Sequence, residues 1–222
     1  MENQTTQQTY KYMQMNHIDN NIYEHLKLLP IDLQGWNGTS DIFNTLIEQT
    51  KPSVIIEVGS WKGQSAITMA NCIKAHNLQT RIYCVDTWLG ALEFWDDLND
   101  TPERDLKLKN GYPQIYYQFL SNIVHSNVQD IILPFPTTST IGFRYFQKKG
   151  ITPQLVYIDA SHDKEDVYID IRNYYSILSS GGILFGDDYI AWPGVSEAVQ
   201  QFSSETGVSF NVLQNNFWTI TK

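Results

Sequence analysis

Five short, largely apolar runs, rich in β-branched residues and spaced by stretches of helical periodicity, restrict this chain more than any other feature. They are residues 54–58, 81–86, 130–135, 155–159 and 183–188. Runs of this length and composition read as strands covered on both faces. Between them, residues 64–76, 113–126, 139–149 and 163–178 place apolar side chains at intervals of three and four, as amphipathic helices do. Such alternation demands right-handed crossovers, hence a doubly wound parallel sheet. Two more strands, 208–213 and 217–221, are joined by Gln214-Asn215-Asn216, a hairpin signal, so one of them runs antiparallel. The expected class is α/β, with seven strands, mostly parallel, and an antiparallel C-terminal hairpin strand. A helix over 39–50, capped by Ser40 or Asp41, precedes the first strand, and Pro30 ends a short helical pattern over 21–30. Pro193-Gly194 opens the last helix, where Val195, Ala198, Val199 and Phe202 share a face.

On this reading residues 39–222 form one Rossmann-like domain, and residues 1–38 an N-terminal arm and cover. Residues 87–112 carry Trp88, Phe94 and Trp95, then a charged, glycine-containing run. Such an insertion at the ligand end of a sheet suits a lid or substrate wall, and equally a helix packed on the core. The 222 residues, 42 % hydrophobic and 18 % charged, suffice for a packed core. A net charge of −9 argues against nucleic acid as a partner. No apolar run is long enough to span a membrane, and residues 1–8 lack a basic and apolar leader. The expected setting is therefore cytoplasmic, without a membrane partner. Cys72 and Cys84 fall on a helix and a strand and read as buried free thiols. Association into a homo-oligomer stays open.

In an open parallel sheet the ligand sits outside the carboxyl ends of the strands. There the first strand carries Glu57 and runs on through Gly59, Ser60, Trp61 and Gly63 to Ser65. Gly59 and Gly63 let a ligand approach backbone. Ser65 lies in the first turn of the next helix, whose free N–H groups favour a carboxylate. Trp61 stands where a dinucleotide motif needs its second glycine, and the Gly-Lys-Ser/Thr of a P-loop is missing, so neither motif is present. Asp86 ends the second strand, 29 residues beyond Glu57, and suits ribose hydroxyls. A bare strand-to-helix turn, and a cap at Asp86, are the alternatives.

Asp159, Asp187 and Asp188 also fall at strand ends, on one rim. Crowded carboxylates repel each other, and a hard divalent cation such as Mg²⁺ relieves that while keeping positions open. Capping of the following turn is the alternative for Asp187-Asp188. Thr137, Thr138 and Ser139 offer hydroxyls to a base, or cap the helix they open.

Over residues 40–222 the chain resembles the class I S-adenosylmethionine-dependent methyltransferases, and within them the metal-dependent O-methyltransferases. The stretch from Glu57 to Ala70 is similar to the cofactor motif of catechol O-methyltransferase. The stretches from Tyr157 to His162 and from Gly181 to Tyr189 are similar to a family of antibiotic-sugar O-methyltransferases and proteins labelled cephalosporin hydroxylase. The resemblance implies that Glu57, Gly59 and Ser60, with Trp61 and Gly63, shape the methionine side of the cofactor pocket. It implies Ser65 at the cofactor carboxylate, Asp86 on the ribose with Thr87 and Trp88 beside it, and Thr138 and Ser139 near adenine. Asp159 would border the cofactor and, with Asp187 and Asp188, hold the metal. His162 falls where the catechol enzyme has its lysine base, and Ser161 where the sugar enzymes have an acidic one; the base role goes to His162, with an exposed helix-start residue as the alternative. The implied activity is methyl transfer from S-adenosylmethionine to a hydroxyl of a small sugar, polyol or phenol, assisted by Mg²⁺ or another divalent cation.

Two other classes remain in view. A hydroxylase or oxidoreductase on the same fold is disfavoured by the missing dinucleotide glycines and by the lack of a two-His-one-carboxylate pattern. A cofactor-binding protein without catalysis would use residues 87–112 as a partner surface.

Overall fold

The computed structural model describes residues 20–95, 104–214 and 216–222. The strands are β1 (Val54–Val58), β2 (Arg81–Asp86), β3 (Ile132–Pro136), β4 (Leu155–Ile158), β5 (Ile183–Gly186), β6 (Phe210–Leu213) and β7 (Phe217–Thr221). The α-helices are α1 (Ile42–Thr50), α2 (Gln64–Ala75), α3 (Ile115–His125), α4 (Ser139–Lys149), α5 (Lys164–Ile177) and α6 (Pro193–Thr206). One sheet holds all seven strands in the order β3-β2-β1-β4-β5-β7-β6. Strands β1 to β5 are parallel, and β7 pairs antiparallel with both β5 and β6. This is the expected doubly wound sheet with its C-terminal hairpin.

Strand periodicity explains the layering, because successive side chains point to opposite faces. Ile55, Ile82, Leu155 and Phe185 pack with α1, α2 and α3 on one face. Ile56, Val85, Val156 and Leu184 pack with α4, α5 and α6 on the other. The strand order reverses between β1 and β4, which opens a crevice at their carboxyl ends. At that point Gly59 has φ +86°, and a Cβ there would lie 1.9 Å from the Asp159 carbonyl oxygen. Only glycine lets these two strand ends meet.

The helix expected over 21–30 is not formed. A 3-10 turn covers Asn20–Tyr23, and the chain then runs without regular structure to α1. Side chains of α3 hold it there: the Leu29 N–H donates to Ser121 Oγ and the Asp32 N–H to Asn122 Oδ1. Residues 1–19, half of the expected arm and cover, lie outside the described residues. So do residues 96–103 of the insertion. Leu92–Phe94 of the insertion form a 3-10 turn, not a helix. No helix among the described residues is long and apolar enough to cross a membrane.

Candidate functional site

A cavity of about 690 Å³ lies outside the carboxyl ends of the parallel strands. Its walls are drawn from the stretches 34–38, 58–65, 85–94, 137–140, 159–170 and 188–192, with Arg104.

The turn after β1 is held from beneath. Glu57 is fully buried and does not line the cavity. It accepts hydrogen bonds from Ser60 Oγ at 2.5 Å and Ser65 Oγ at 2.6 Å, so it orients two residues that do line it. Burial pushes its carboxyl up to about 7, against the pull of both hydroxyls. Asp86 holds the same turn from the side. Its Oδ2 accepts the N–H of Ser60 at 2.8 Å and of Trp61 at 3.0 Å, and its Oδ1 that of Trp88 at 2.7 Å. Asp86 also lines the cavity. Burial raises this carboxyl too, and the surrounding amides oppose the rise.

Two tryptophans sit in the left-handed region, Trp61 at φ +47° and Trp88 at φ +52°. Such conformations cost of order 1–3 kcal/mol each and persist where neighbours enforce them. Here Asp86 takes both amides, and Trp88 Nε1 donates to the Trp61 carbonyl at 2.8 Å. The Trp88 ring is buried against Tyr116 and Phe119, a core residue more than a wall. Trp61 instead joins Phe94, 4.7 Å away between centroids, and Trp36 in an aromatic cluster on the cavity. The insertion thus contributes to both core and wall.

Across the cavity lies a charged rim. Single ligand atoms of Asp159, His162 and Asp188 come within 4.8 Å of one another. Asp188 has φ +65°, which turns it towards His162; its Oδ2 is 3.0 Å from Nε2. The other ring nitrogen, Nδ1, is 2.8 Å from Glu93 Oε1, and the ring stacks on Trp192 at 4.4 Å. Burial alone would lower the His162 pKa, but hydrogen bonds and charges from Asp188 and Glu93 push it up to about 10. Asp159 accepts from Tyr157 Oη at 2.8 Å. Burial, then the neighbouring Asp188 and Asp187, push its carboxyl up to about 7. Asp187 is 4 % exposed and is drawn aside, its Oδ1 accepting from the Asp188 N–H and from Asn216 Nδ2. Of the three acids expected to hold a metal, Asp159 and Asp188 come together beside His162, and Asp187 has its Oδ1 engaged in the turn.

Sequence reasoning missed Glu93, because the insertion carries no periodicity to place it. It also missed the tie between the leading segment and the glycine turn. Lys62, 3 % exposed, donates to Asp32 Oδ2 at 2.8 Å and to Gln34 Oε1 at 3.2 Å. Trp61 Nε1 donates to Gln34 Oε1 as well, at 3.1 Å. Residues 34–38 thereby cover one side of the cavity.

The far end lies between the start of α4 and the side of α5. Thr138 caps α4, its Oγ1 accepting the Ile141 N–H at 3.3 Å. Tyr174 Oη donates to the Ser139 carbonyl at 2.8 Å and fastens α4 to α5. Asp170, one turn before Tyr174, is 4 % exposed and lines the cavity. Burial pushes its carboxyl up to about 7, and a hydrogen bond from Ser139 opposes this.

A family model described as a methyltransferase domain matches residues 56–189. Among solved structures, the O-methyltransferase NovP superposes with a TM-score of 0.63 at 16 % identity, covering 82 % of this chain and 78 % of that one. An O-methyltransferase from Bacillus cereus in complex with SAH gives 0.59 at 14 % identity, covering 100 % of this chain and 92 % of that one. TomG from Streptomyces achromogenes, an O-methyltransferase in complex with SAM, gives 0.58 at 14 % identity, covering 87 % and 84 %. At these identities the likeness is one of fold. No curated protein matches the chain by sequence.

Proposed function

The chain belongs to the methyltransferase-domain family, and on that premise we propose that it moves the methyl group of S-adenosylmethionine to a hydroxyl oxygen of a small molecule, with help from a divalent cation. One observation carries this reading: a single cavity joins a turn rich in donors, next to Asp86, with a rim of Asp159, His162 and Asp188. Solved structures of the same fold that are described as O-methyltransferases, two of them holding SAH or SAM, support it.

The α2 start offers free N–H groups to the cofactor's carboxylate. Ser60 and Ser65 are already oriented by Glu57, and in this reading Asp86 is the acceptor for a ribose hydroxyl. Asp159 and Asp188 suit a hard cation: both are carboxylates, and a cation would offset the burial and the repulsion from acidic neighbours that work against a charge on Asp159. His162 stands beside that pair, with Nε2 turned to the rim. When bound, such a cation lowers the pKa of a hydroxyl on it and orients that oxygen.

His162 is the proton acceptor in this reading. Glu93 fixes Nδ1 and leaves Nε2 to face the rim. In the arrangement described here Asp188 holds that nitrogen, so the imidazole is charged and is not yet a base. The base role requires the Asp188 carboxylate to be engaged elsewhere. Trp61, Phe94 and Trp36 give the acceptor an apolar wall. Holding donor and acceptor in line supplies much of the rate.

The test is incubation with S-adenosylmethionine, Mg²⁺ and a panel of catechols, phenols and sugars. Release of S-adenosylhomocysteine together with an acceptor heavier by one methyl group is expected. Failure of S-adenosylmethionine to bind in calorimetry would overturn the reading.

A further inference from the structure

Lys62, Arg104 and His162 are the cationic side chains that line the cavity among the described residues, and two of them are already engaged. Lys62 is paired with Asp32 at 2.8 Å. The His162 ring lies between Glu93 and Asp188. Arg104 is half-buried, and among the described residues no carboxylate pairs with it. Taking a guanidinium partly out of water without a partner is unfavourable, and its planar fork matches a carboxylate with two parallel hydrogen bonds. Arg104 lines the cavity, so that carboxylate can come from a bound molecule.

Its surroundings place Arg104 against the acceptor. Its Cζ lies 6.0 Å from the centroid of the Phe94 ring, which joins Trp61 and Trp36 in the apolar wall. It also acts on Glu93. Burial would raise that carboxyl, but the bond from His162 and, to a smaller extent, the charge of Arg104 hold it below its ordinary value. Arg104 thus stands near both the wall and the residue that orients His162. The cofactor's own carboxylate has its place at the start of α2.

The wall indicates the body of the acceptor. Trp61 spends its Nε1 on Gln34, and Phe94 has no polar side-chain atom, so these rings offer carbon faces. A flat aryl ring can stack there, whereas a sugar would leave hydroxyls without partners on that side. An ammonium group, which aromatic faces also favour, would meet like charge: Lys62 Nζ lies 5.4 Å from the Trp61 ring centroid, and Arg104 stands over Phe94.

We infer that Arg104 binds the acceptor and that the acceptor is a hydroxyaryl carboxylate, with its ring against Trp61 and Phe94, its carboxylate on Arg104 and its hydroxyl at the rim of Asp159, His162 and Asp188. The inference deepens the methyl-transfer reading and rests on it.

The experiment is steady-state turnover with S-adenosylmethionine and Mg²⁺ on two acceptors of nearly equal shape, 3,4-dihydroxybenzoate and its neutral amide, 3,4-dihydroxybenzamide. Arg104→Gln is measured beside the wild type. The wild type is expected to favour the carboxylate by roughly ten-fold, the value of a hydrogen-bonded charge pair discounted for partial exposure. The preference should sit in KM, since the contact is made before and during the reaction alike. In Arg104→Gln it is expected to fall to about two-fold or less. Any difference in the intrinsic acidity of the hydroxyls is common to both proteins and cancels. Equal use of both acceptors by the wild type overturns the inference, whether or not the variant folds. A preference that survives in the variant also overturns it, because another group then reads the carboxylate. Calorimetric titration with S-adenosylhomocysteine separates the remaining cases. Affinity lost in Arg104→Gln in step with the preference places Arg104 on the cofactor and overturns the inference. A wild type that binds S-adenosylhomocysteine but methylates neither acceptor overturns the inference and leaves the methyl-transfer reading intact. A wild type that does not bind it sinks the two together.

Discussion

The two rims of the cavity are built on opposite principles. Along the β1 and β2 ends every acid already has its donors: Glu57 takes two serine hydroxyls and Asp86 takes backbone amides. Along the β4 and β5 ends the acids crowd one another, and His162 is shared between Glu93 and Asp188. The first rim is preorganised, so a ligand there meets a fixed surface and little reorganisation is needed. The second holds charge that a cation and a polar acceptor would satisfy better than its present partners do. In the proposed reading, binding and chemistry fall to different strands of one sheet.

The sharpest way to break this division is to disarm one rim and read the other. Asp188→Ala is expected to cut turnover roughly a hundred-fold or more, the scale of losing a several-kcal/mol electrostatic contribution. Its affinity for S-adenosylhomocysteine should stay within about two-fold. A matching loss of affinity in calorimetry would show that the rims are not separate.

The reverse experiment is Asp86→Ala. It strips the acceptor from the amides of Ser60, Trp61 and Trp88. Chemical denaturation is expected to show a loss of about 1–3 kcal/mol, with weaker cofactor binding of similar size. Full stability together with full affinity would remove Asp86 from both tasks.

A smaller effect follows from Glu57. Its folded-state pKa, about 7, lies above the ordinary carboxylate value because of burial. The folded protein therefore holds a proton that the unfolded chain releases. The stability this contributes is complete below the ordinary value and is lost as pH rises through about 7. Glu57→Gln should remove that share of the slope, on the order of 1 kcal/mol or more between mildly acidic and neutral pH. Denaturation curves collected across that window check it, and an unchanged slope would mean that Glu57 is ionised throughout.

The smallest effect is expected at the cover. Trp36 is about half exposed and packs on Trp61 and Phe94. Trp36→Ala should cost ~0.5–1.5 kcal/mol of acceptor binding, read as a raised KM with kcat nearly unchanged. A fall in kcat alone would place the ring nearer the chemistry.

The sheet was legible because its periodicities are strong and because strands buried on both faces leave unbroken apolar runs. The acids at strand ends were legible for the same reason: Asp86, Asp159 and Asp188 all follow such runs directly. What each acid does was not. The separation of Asp187 from Asp188 depends on a left-handed residue and on Asn216 arriving from the hairpin. Neither is encoded near residues 183–188. Glu93 meets His162 across 69 residues, and Lys62 meets Asp32 across 30, through segments without regular structure. Asp170 did leave a trace: an acid at helical spacing within the apolar face of Val167, Ile171 and Tyr174 is placed to be buried.

The most direct test of the division between the rims is turnover on the best acceptor from the panel, followed as S-adenosylhomocysteine release, first in EDTA and then with Mg²⁺ restored. Activity close to zero in EDTA that returns fully with Mg²⁺ is the expected result. Turnover at the same rate in EDTA would contradict it and would leave Asp159, His162 and Asp188 to act without a cation.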